Sequence, residues 1–139
     1  RLLGIRSTHN LGRHDGELVP DLELRAQIAR LYRLTQADTL LTFDPYWAGQ
    51  IHPDHRAAGQ GALDAYMPSK MPLYRPEQLA EPGAALARLE RVFLFSTDRS
   101  PDVVVDITTT GSTLPGSLPC RSWPEAMGFA SVNLSRIFA

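Results

Sequence analysis

The sequence has little cysteine, no long apolar run and almost no excess charge, and each shortage excludes a class of protein. Cys120 is the only cysteine among 139 residues, which excludes a disulfide framework within the chain and a zinc site built from several cysteines. A single cysteine fits a reducing compartment, so we expect a cytoplasmic protein. No apolar run approaches the roughly 20 residues of a membrane span. The formal net charge of -1 argues against a nucleic-acid partner.

The remaining composition is that of an ordinary folded domain. Hydrophobic residues make up 43% of the chain and charged residues 21%, and 139 residues are enough to bury a sizeable core. Residues 1–5 resemble the end of a helix followed by a glycine stop. We therefore expect one domain, and we expect the chain to begin within a fold.

Apolar spacing predicts a helix, a strand and a second helix in succession. The first helix covers 21–34, with Asp21 as its cap and its arginines on the solvated face. The run at 37–43 is short, apolar and rich in β-formers, which indicates a strand buried on both faces. The second helix covers 53–67. This alternation predicts an α/β fold with a mostly parallel sheet flanked by helices.

The second half of the chain has weaker signals. Residues 90–97 and 101–108 are strand candidates joined by a tight turn around 98–100. Beyond residue 108 glycine, proline and serine recur without a clear period, and a short element near 130–138 is the one candidate there.

Two histidines follow the first strand directly, in the segment 43–59 with the sequence FDPYWAGQIHPDHRAAG. A residue before proline is held in extended geometry and proline suits the first helical position, so we expect His52 to cap the helix that Pro53 begins. His55 then lies in the first turn, where the helix dipole favours the neutral imidazole that ligates metals. Asp54 could orient a histidine through its other ring nitrogen. The alternative is an ordinary helix cap that happens to contain histidines.

Other polar residues are weaker candidates for a site. We expect His14 with Asp15, His9 and Asp44 to be solvated loop residues. Residues 110–112 lack the strand and helix that flank a phosphate loop, and Cys120 has no convincing base nearby in the sequence.

The order of these features resembles the LmbE-like (PIG-L) family of zinc-dependent N-acetylglucosaminyl de-N-acetylases. The resemblance covers residues 1–108 and rests on LGRHDGEL, LRAQIARLYR, ADTLLTFDP, HPDHRAAGQGALDA and VFLFSTDRSPDVVVDIT. It implies a Rossmann-like fold, one Zn²⁺ per complete active site and a small N-acetylated sugar conjugate as substrate. It further implies that His55 is a zinc ligand, that His52 stabilises the tetrahedral oxyanion, and that Asp54 is the carboxylate bonded to His52.

The sequence also departs from the family pattern. The family's A-H-P-D-D-E motif, which supplies two further zinc ligands and the general base on the first strand, is not found in these residues. We therefore interpret 1–108 as the carboxyl-side part of such a domain, apparently lacking its first strand, and 109–139 as an atypical tail. A second copy of the chain or a separate segment could complete the sheet.

Three hypotheses follow from this pattern. The first is a zinc-dependent deacetylase. The second is a non-catalytic module or remnant of that fold that only binds a sugar or a partner. The third is an independent metal site formed by His14, Asp44 and His55.

Overall fold

A computed structural model describes residues 5–95, 103–106 and 129–133 of the chain. In chain order its elements are α1 (Leu22–Thr35), β1 (Thr39–Phe43), α2 (Pro53–Lys70), a short 3₁₀ helix (Pro76–Ala80), β2 (Arg91–Phe95), β3 (Val103–Asp106) and β4 (Phe129–Asn133). None of the described helices is long and apolar enough to cross a membrane.

The four strands form one sheet in the order β1-β2-β4-β3. β1 and β2 are parallel, with Thr39 opposite Arg91 and Phe43 opposite Phe95, as expected for strands joined through a helix. β4 is antiparallel to both of its neighbours and lies between β2 and β3. The sheet therefore contains one parallel and two antiparallel pairings among the described strands. The turn predicted at 98–100 lies outside the described residues.

Both helices start where their sequences predict. The side chain of Asp21 accepts a hydrogen bond of 2.6 Å from the backbone N–H of Leu24, which caps α1. α2 begins at Pro53 with His52 as its cap. It ends at Lys70, three residues later than predicted, because the backbone N–H of Met71 bonds to the carbonyl oxygen of Pro68 at 3.1 Å and closes a last turn.

The core lies between the two helices and one face of the sheet. Ala29 of α1, Ala65 of α2 and the strand residues Val92 and Leu94 are all buried. Small side chains at the helix contact let the two helices approach closely. The prediction that β1 is buried on both faces is wrong, because Leu41 is 61% exposed on the face that points away from this core.

Arg33 corrects a second prediction, since we expected the arginines of α1 on its solvated face. Arg33 has no exposed surface, while Arg30 is exposed and forms an ion pair with Glu81. The Arg33 guanidinium donates to the backbone carbonyl oxygens of Pro68, Ser69, Met71, Tyr74 and Arg75 and to Oε1 of Gln78. The physical reason is that the carbonyl oxygens at the end of α2 and in the following turn converge on it, and a planar fork of N–H donors satisfies them.

Candidate active site at the start of α2

The candidate site lies in the connection from the carboxyl end of β1 to the first turn of α2. Asp44 opens this connection and is 3% exposed, so the prediction of a solvated residue is wrong. Its side chain accepts a 2.9 Å hydrogen bond from the backbone N–H of Tyr46, and its own N–H donates to the carbonyl oxygen of Phe95 at 2.9 Å. Asp44 is buried because its carboxylate closes a local turn and its backbone extends the β1–β2 ladder.

His52 is the cap of α2 and has the extended backbone that a residue before proline requires, with φ -72° and ψ 120°. Its Nδ1 accepts a hydrogen bond of 3.2 Å from the backbone N–H of Asp54. In the neutral ring the proton is then on Nε2, which lies 3.9 Å from a carboxylate oxygen of Asp15. The His52 side chain is 42% exposed, so Nε2–H can reach a ligand.

His55 lies beside His52 and contacts the end of β1. Its ring stacks on Phe43 with centroids 4.0 Å apart and planes at 6°, and the two imidazole centroids are 4.7 Å apart. Nδ1 of His55 lies 3.1 Å from Oε1 of Gln50. The structure thus brings together the two histidines that the sequence singles out.

Asp54 joins the loop before α1 to the start of α2. One carboxylate oxygen accepts from the backbone N–H of Gly16 at 2.6 Å, and the other accepts from that of Leu18 at 3.1 Å. The Gly16 amide above all, then the Leu18 amide and the nearby imidazoles, hold the pKa of Asp54 below its ordinary value, against an opposing effect of desolvation. Asp54 is therefore ionised at neutral pH. Because both of its oxygens bind amides, its role as the carboxylate bonded to His52 stays a prediction.

One set of metal-compatible side chains occurs in the parts of the chain that the structure describes. Ligand atoms of Asp15, His52 and Asp54 all lie within 4.8 Å of one another. His14, Asp44 and His55 do not form such a set, so the hypothesis of an independent site at these three residues gains no support. Sequence reasoning assigned no catalytic role to Asp15, and the one signal for it was its place in the stretch LGRHDGEL of the family resemblance.

The remaining candidates have no part in this arrangement. His9 and His14 are exposed, as predicted. Cys120 and residues 110–112 lie outside the described residues.

A cavity of about 310 Å³ adjoins the first turn of α2. Leu18 and Pro45 line it from the two loops, and Arg56 and Gln60 line it from the helix. It is open to solvent, and both apolar and polar residues line it.

No protein-family model matches the chain. A curated relative, the diacetylchitobiose deacetylase of Thermococcus kodakarensis, is 29% identical over 107 residues, which are 77% of this chain and 39% of the relative. Among solved structures, the N,N'-diacetylchitobiose deacetylase of Pyrococcus horikoshii in complex with its inhibitor superposes with a TM-score of 0.70 at 29% identity. That match covers 77% of this chain and 40% of the other.

A conserved protein of Thermus thermophilus matches 81% of this chain and 48% of its own, with a TM-score of 0.67. At 24% identity this likeness concerns the fold alone. The α/β, Rossmann-like class predicted from the sequence is confirmed by these likenesses. The chain spans about two fifths of the length of the curated relative that it matches.

Proposed function

We propose that residues 1–108 belong to an LmbE-like zinc-dependent hydrolase that removes the acetyl group from an N-acetylglucosamine-type sugar conjugate. The observation that carries the proposal is the pair of adjacent imidazoles, His52 and His55, at the carboxyl end of a parallel strand. Functional groups gather at such strand ends in α/β folds. The similarity to two diacetylchitobiose deacetylases supports the same chemistry.

The side chains of the site suit a zinc ion. Imidazole nitrogens and carboxylate oxygens are common zinc ligands. Ligand atoms of Asp15, His52 and Asp54 lie within 4.8 Å of one another, and the ring centroid of His55 lies 4.7 Å from that of His52. We assign His55 as a ligand through Nε2, because its Nδ1 is occupied by Gln50. When bound, zinc would supply Lewis-acid polarisation of the acetamide carbonyl.

His52 has a different role in the proposed reaction. Its Nδ1 accepts from the backbone of Asp54, so its Nε2–H is a donor in the neutral ring. A neutral N–H donor at a helix start can stabilise the oxyanion that forms when water adds to the amide carbonyl. A carboxylate oxygen of Asp15 lies 3.9 Å from this Nε2. Asp54 holds the loop that contains Asp15, because its carboxylate accepts hydrogen bonds from the backbone N–H groups of Gly16 and Leu18.

The proposed place for the sugar is the cavity beside the first turn of α2, which Leu18, Pro45 and Arg56 line. A small N-acetylated sugar conjugate is the ligand class that fits this proposal.

The test combines metal content with acetate release in the same samples. The purified chain is dialysed against zinc, its metal is measured by mass spectrometry, and it is assayed with N,N'-diacetylchitobiose. We expect His55→Ala to lose the metal, while His14→Ala, which alters an exposed histidine, keeps it. In a version of the protein that includes the first-strand motif, we expect His52→Ala to retain metal and to lower acetate release about 100-fold to 1000-fold.

The outcomes separate the hypotheses. Zinc retained in His55→Ala would disprove the ligand assignment. Sugar binding without zinc uptake or acetate release would favour the non-catalytic binding module. Loss of metal in His14→Ala would revive the independent site at His14, Asp44 and His55.

A further inference from the structure

Gln50 is a buried polar residue in the loop before α2, with 7% of its surface exposed. Its backbone N–H donates to the carbonyl oxygen of Trp47 at 3.1 Å, and its own carbonyl oxygen accepts from the Arg56 guanidinium. The backbone N–H and the backbone carbonyl oxygen of Gln50 are therefore both hydrogen-bonded. Its side-chain oxygen lies 3.1 Å from Nδ1 of His55.

An amide oxygen can only accept hydrogen bonds, so this contact requires a proton on Nδ1 of His55. The neutral ring then has its lone pair on Nε2, which is the form that binds a metal. Stacking on Phe43, with the planes 6° apart, fixes the plane of the same ring. Gln50 and Phe43 together therefore determine which nitrogen of His55 is available and where it points.

The neighbouring ring has the opposite tautomer. The backbone N–H of Asp54 donates to Nδ1 of His52, which leaves the proton on Nε2. Two imidazoles 4.7 Å apart thus present different groups, a donor N–H on His52 and a lone pair on His55. One ring suits an oxyanion and the other suits a cation.

We propose that Gln50 is a positioning residue that holds His55 in the Nδ1–H tautomer and so presents an unprotonated Nε2 to a divalent metal ion. This inference rests on the proposed function, in which His55 is a zinc ligand. Hydrogen bonding to the second nitrogen of a ligating histidine is a common way to fix its tautomer and raise its affinity.

The first test reads the tautomers directly and needs no metal. Long-range ¹⁵N–¹H NMR of the metal-free chain, at a pH about 1.5 above the ordinary histidine pKa of about 6.5, reports which nitrogen carries the proton. We expect Nδ1–H at His55 and Nε2–H at His52. In Gln50→Leu, His55 should lose its preference while His52 keeps its own, and in Gln50→Glu, which retains an acceptor, His55 should keep Nδ1–H.

Gln60→Leu is the matched control, because Gln60 lies on the same helix as His55 and bonds to Asp64 instead. It should leave both tautomers unchanged. If circular dichroism shows that Gln50→Leu does not fold, Gln50→Asn replaces it, because its side chain is one methylene shorter and its amide oxygen lies farther from His55. A wild-type His55 with its proton on Nε2, or a Gln50→Leu variant with an unchanged His55, would overturn the inference.

The second test measures zinc affinity by competition with a chelator. We expect Gln50→Leu to weaken binding about 10-fold to 100-fold and Gln50→Glu to preserve it. Unchanged affinity in His55→Ala would show that the proposed function is wrong about the ligand. Lost affinity in His55→Ala with unchanged affinity in Gln50→Leu would overturn the role of Gln50 alone. If the wild-type chain takes up no zinc, the NMR measurement of the His55 tautomer alone tests the role of Gln50.

Discussion

Asp54 acts through its backbone and its side chain at once. Its N–H sets the tautomer of His52, and its carboxylate holds the amides of Gly16 and Leu18. A single residue in the first turn of α2 thus fixes one ring of the site and brings the loop that contains Asp15 beside it. The ionised carboxylate is also favoured by the helix dipole at this position. The site is therefore organised by the helix start itself.

Tyr32 gives α1 a pH-sensitive contact with α2. Its hydroxyl donates to the carbonyl oxygen of Ala62 at 3.1 Å, and burial raises the pKa of Tyr32 well above its ordinary value of about 10. The unfolded chain therefore loses this proton first as pH rises. The contribution of Tyr32 to stability is complete below pH about 10 and is lost as pH rises above that value. Urea denaturation at increasing pH should show a declining free energy of unfolding in this alkaline range.

Tyr32→Phe should reduce that alkaline decline, since the variant has no phenol to ionise at this position. At neutral pH it should lower the free energy of unfolding by about 1 kcal/mol through the lost hydrogen bond. An alkaline profile that is the same for Tyr32→Phe and wild type would contradict the assignment.

The residues of the site differ in how far the sequence could predict them. The cap at His52 and the first-turn place of His55 depend on neighbours within a few residues, so the motif predicts them. The carboxylate partner of the Gly16 and Leu18 amides is 36 to 38 residues away along the chain, and no local pattern indicates such contacts. The Gln50 contact was missed for another reason: glutamine has no characteristic signal in a loop.

α2 is positioned against the end of β1 by a glycine. A Cβ on Gly59 would overlap the carbonyl oxygen of Phe43, which belongs to backbone and cannot rotate away. Close approach at this point keeps His55 within stacking distance of Phe43. The helix and the strand end therefore form one unit that determines the geometry of the site.

Gly59→Ala should destabilise the protein despite the better helix propensity of alanine. Relief of an overlap with backbone costs about 1–3 kcal/mol, whereas alanine gains at most about 1 kcal/mol in a helix interior. We expect a net loss on the order of 1–2 kcal/mol in the free energy of unfolding, measured by urea denaturation. Gly61→Ala is the comparison, because its Cβ would lie 2.8 Å from Cδ2 of Leu24, a side-chain end that can move.

The decisive result is which of the two variants loses more free energy of unfolding. Gly61→Ala should cost less than Gly59→Ala, because a methyl group can shift and a carbonyl oxygen of the sheet cannot. A Gly59→Ala protein as stable as wild type would show that α2 can move away from β1 without penalty.

The starts of α1 and α2 could be predicted from the sequence, whereas the end of α2 and the burial of Arg33 could not. Asp21 and His52-Pro53 are local capping signals, so the starts of α1 and α2 follow from the sequence. Pro68 suggested an earlier end of α2, but it occupies the last turn, where the closing bond uses its carbonyl oxygen. The burial of Arg33 depends on carbonyl groups at 68–75, which the apolar period of α1 does not reveal.

The strands β1 and β2, whose burial the structure describes, are covered unequally on their two faces. Val92 and Leu94 of β2 are 1% exposed beneath the helices, and Leu40 of β1 packs against the same core. On the opposite face, Leu41 lies next to Phe93 in the parallel register and is 61% exposed. β1 and β2 are a parallel pair, and parallel strands are usually covered on both faces, so the exposed apolar surface at Leu41 favours association. The second copy or segment expected to complete the sheet would add a strand at its edge, so it stays a separate prediction from association through this face.

Leu41→Lys should weaken self-association of the chain. Analytical ultracentrifugation over a range of concentrations should show wild type forming dimers or larger species, because association removes apolar surface from water. A lysine at position 41 places a charge in that surface and should shift the distribution towards monomer. Leu73→Lys changes a leucine that is 89% exposed in the turn after α2, away from the sheet, and should associate as wild type does. Wild type that remains monomeric at every concentration, or equal association in the two variants, would mean that this sheet face does not bind a second copy.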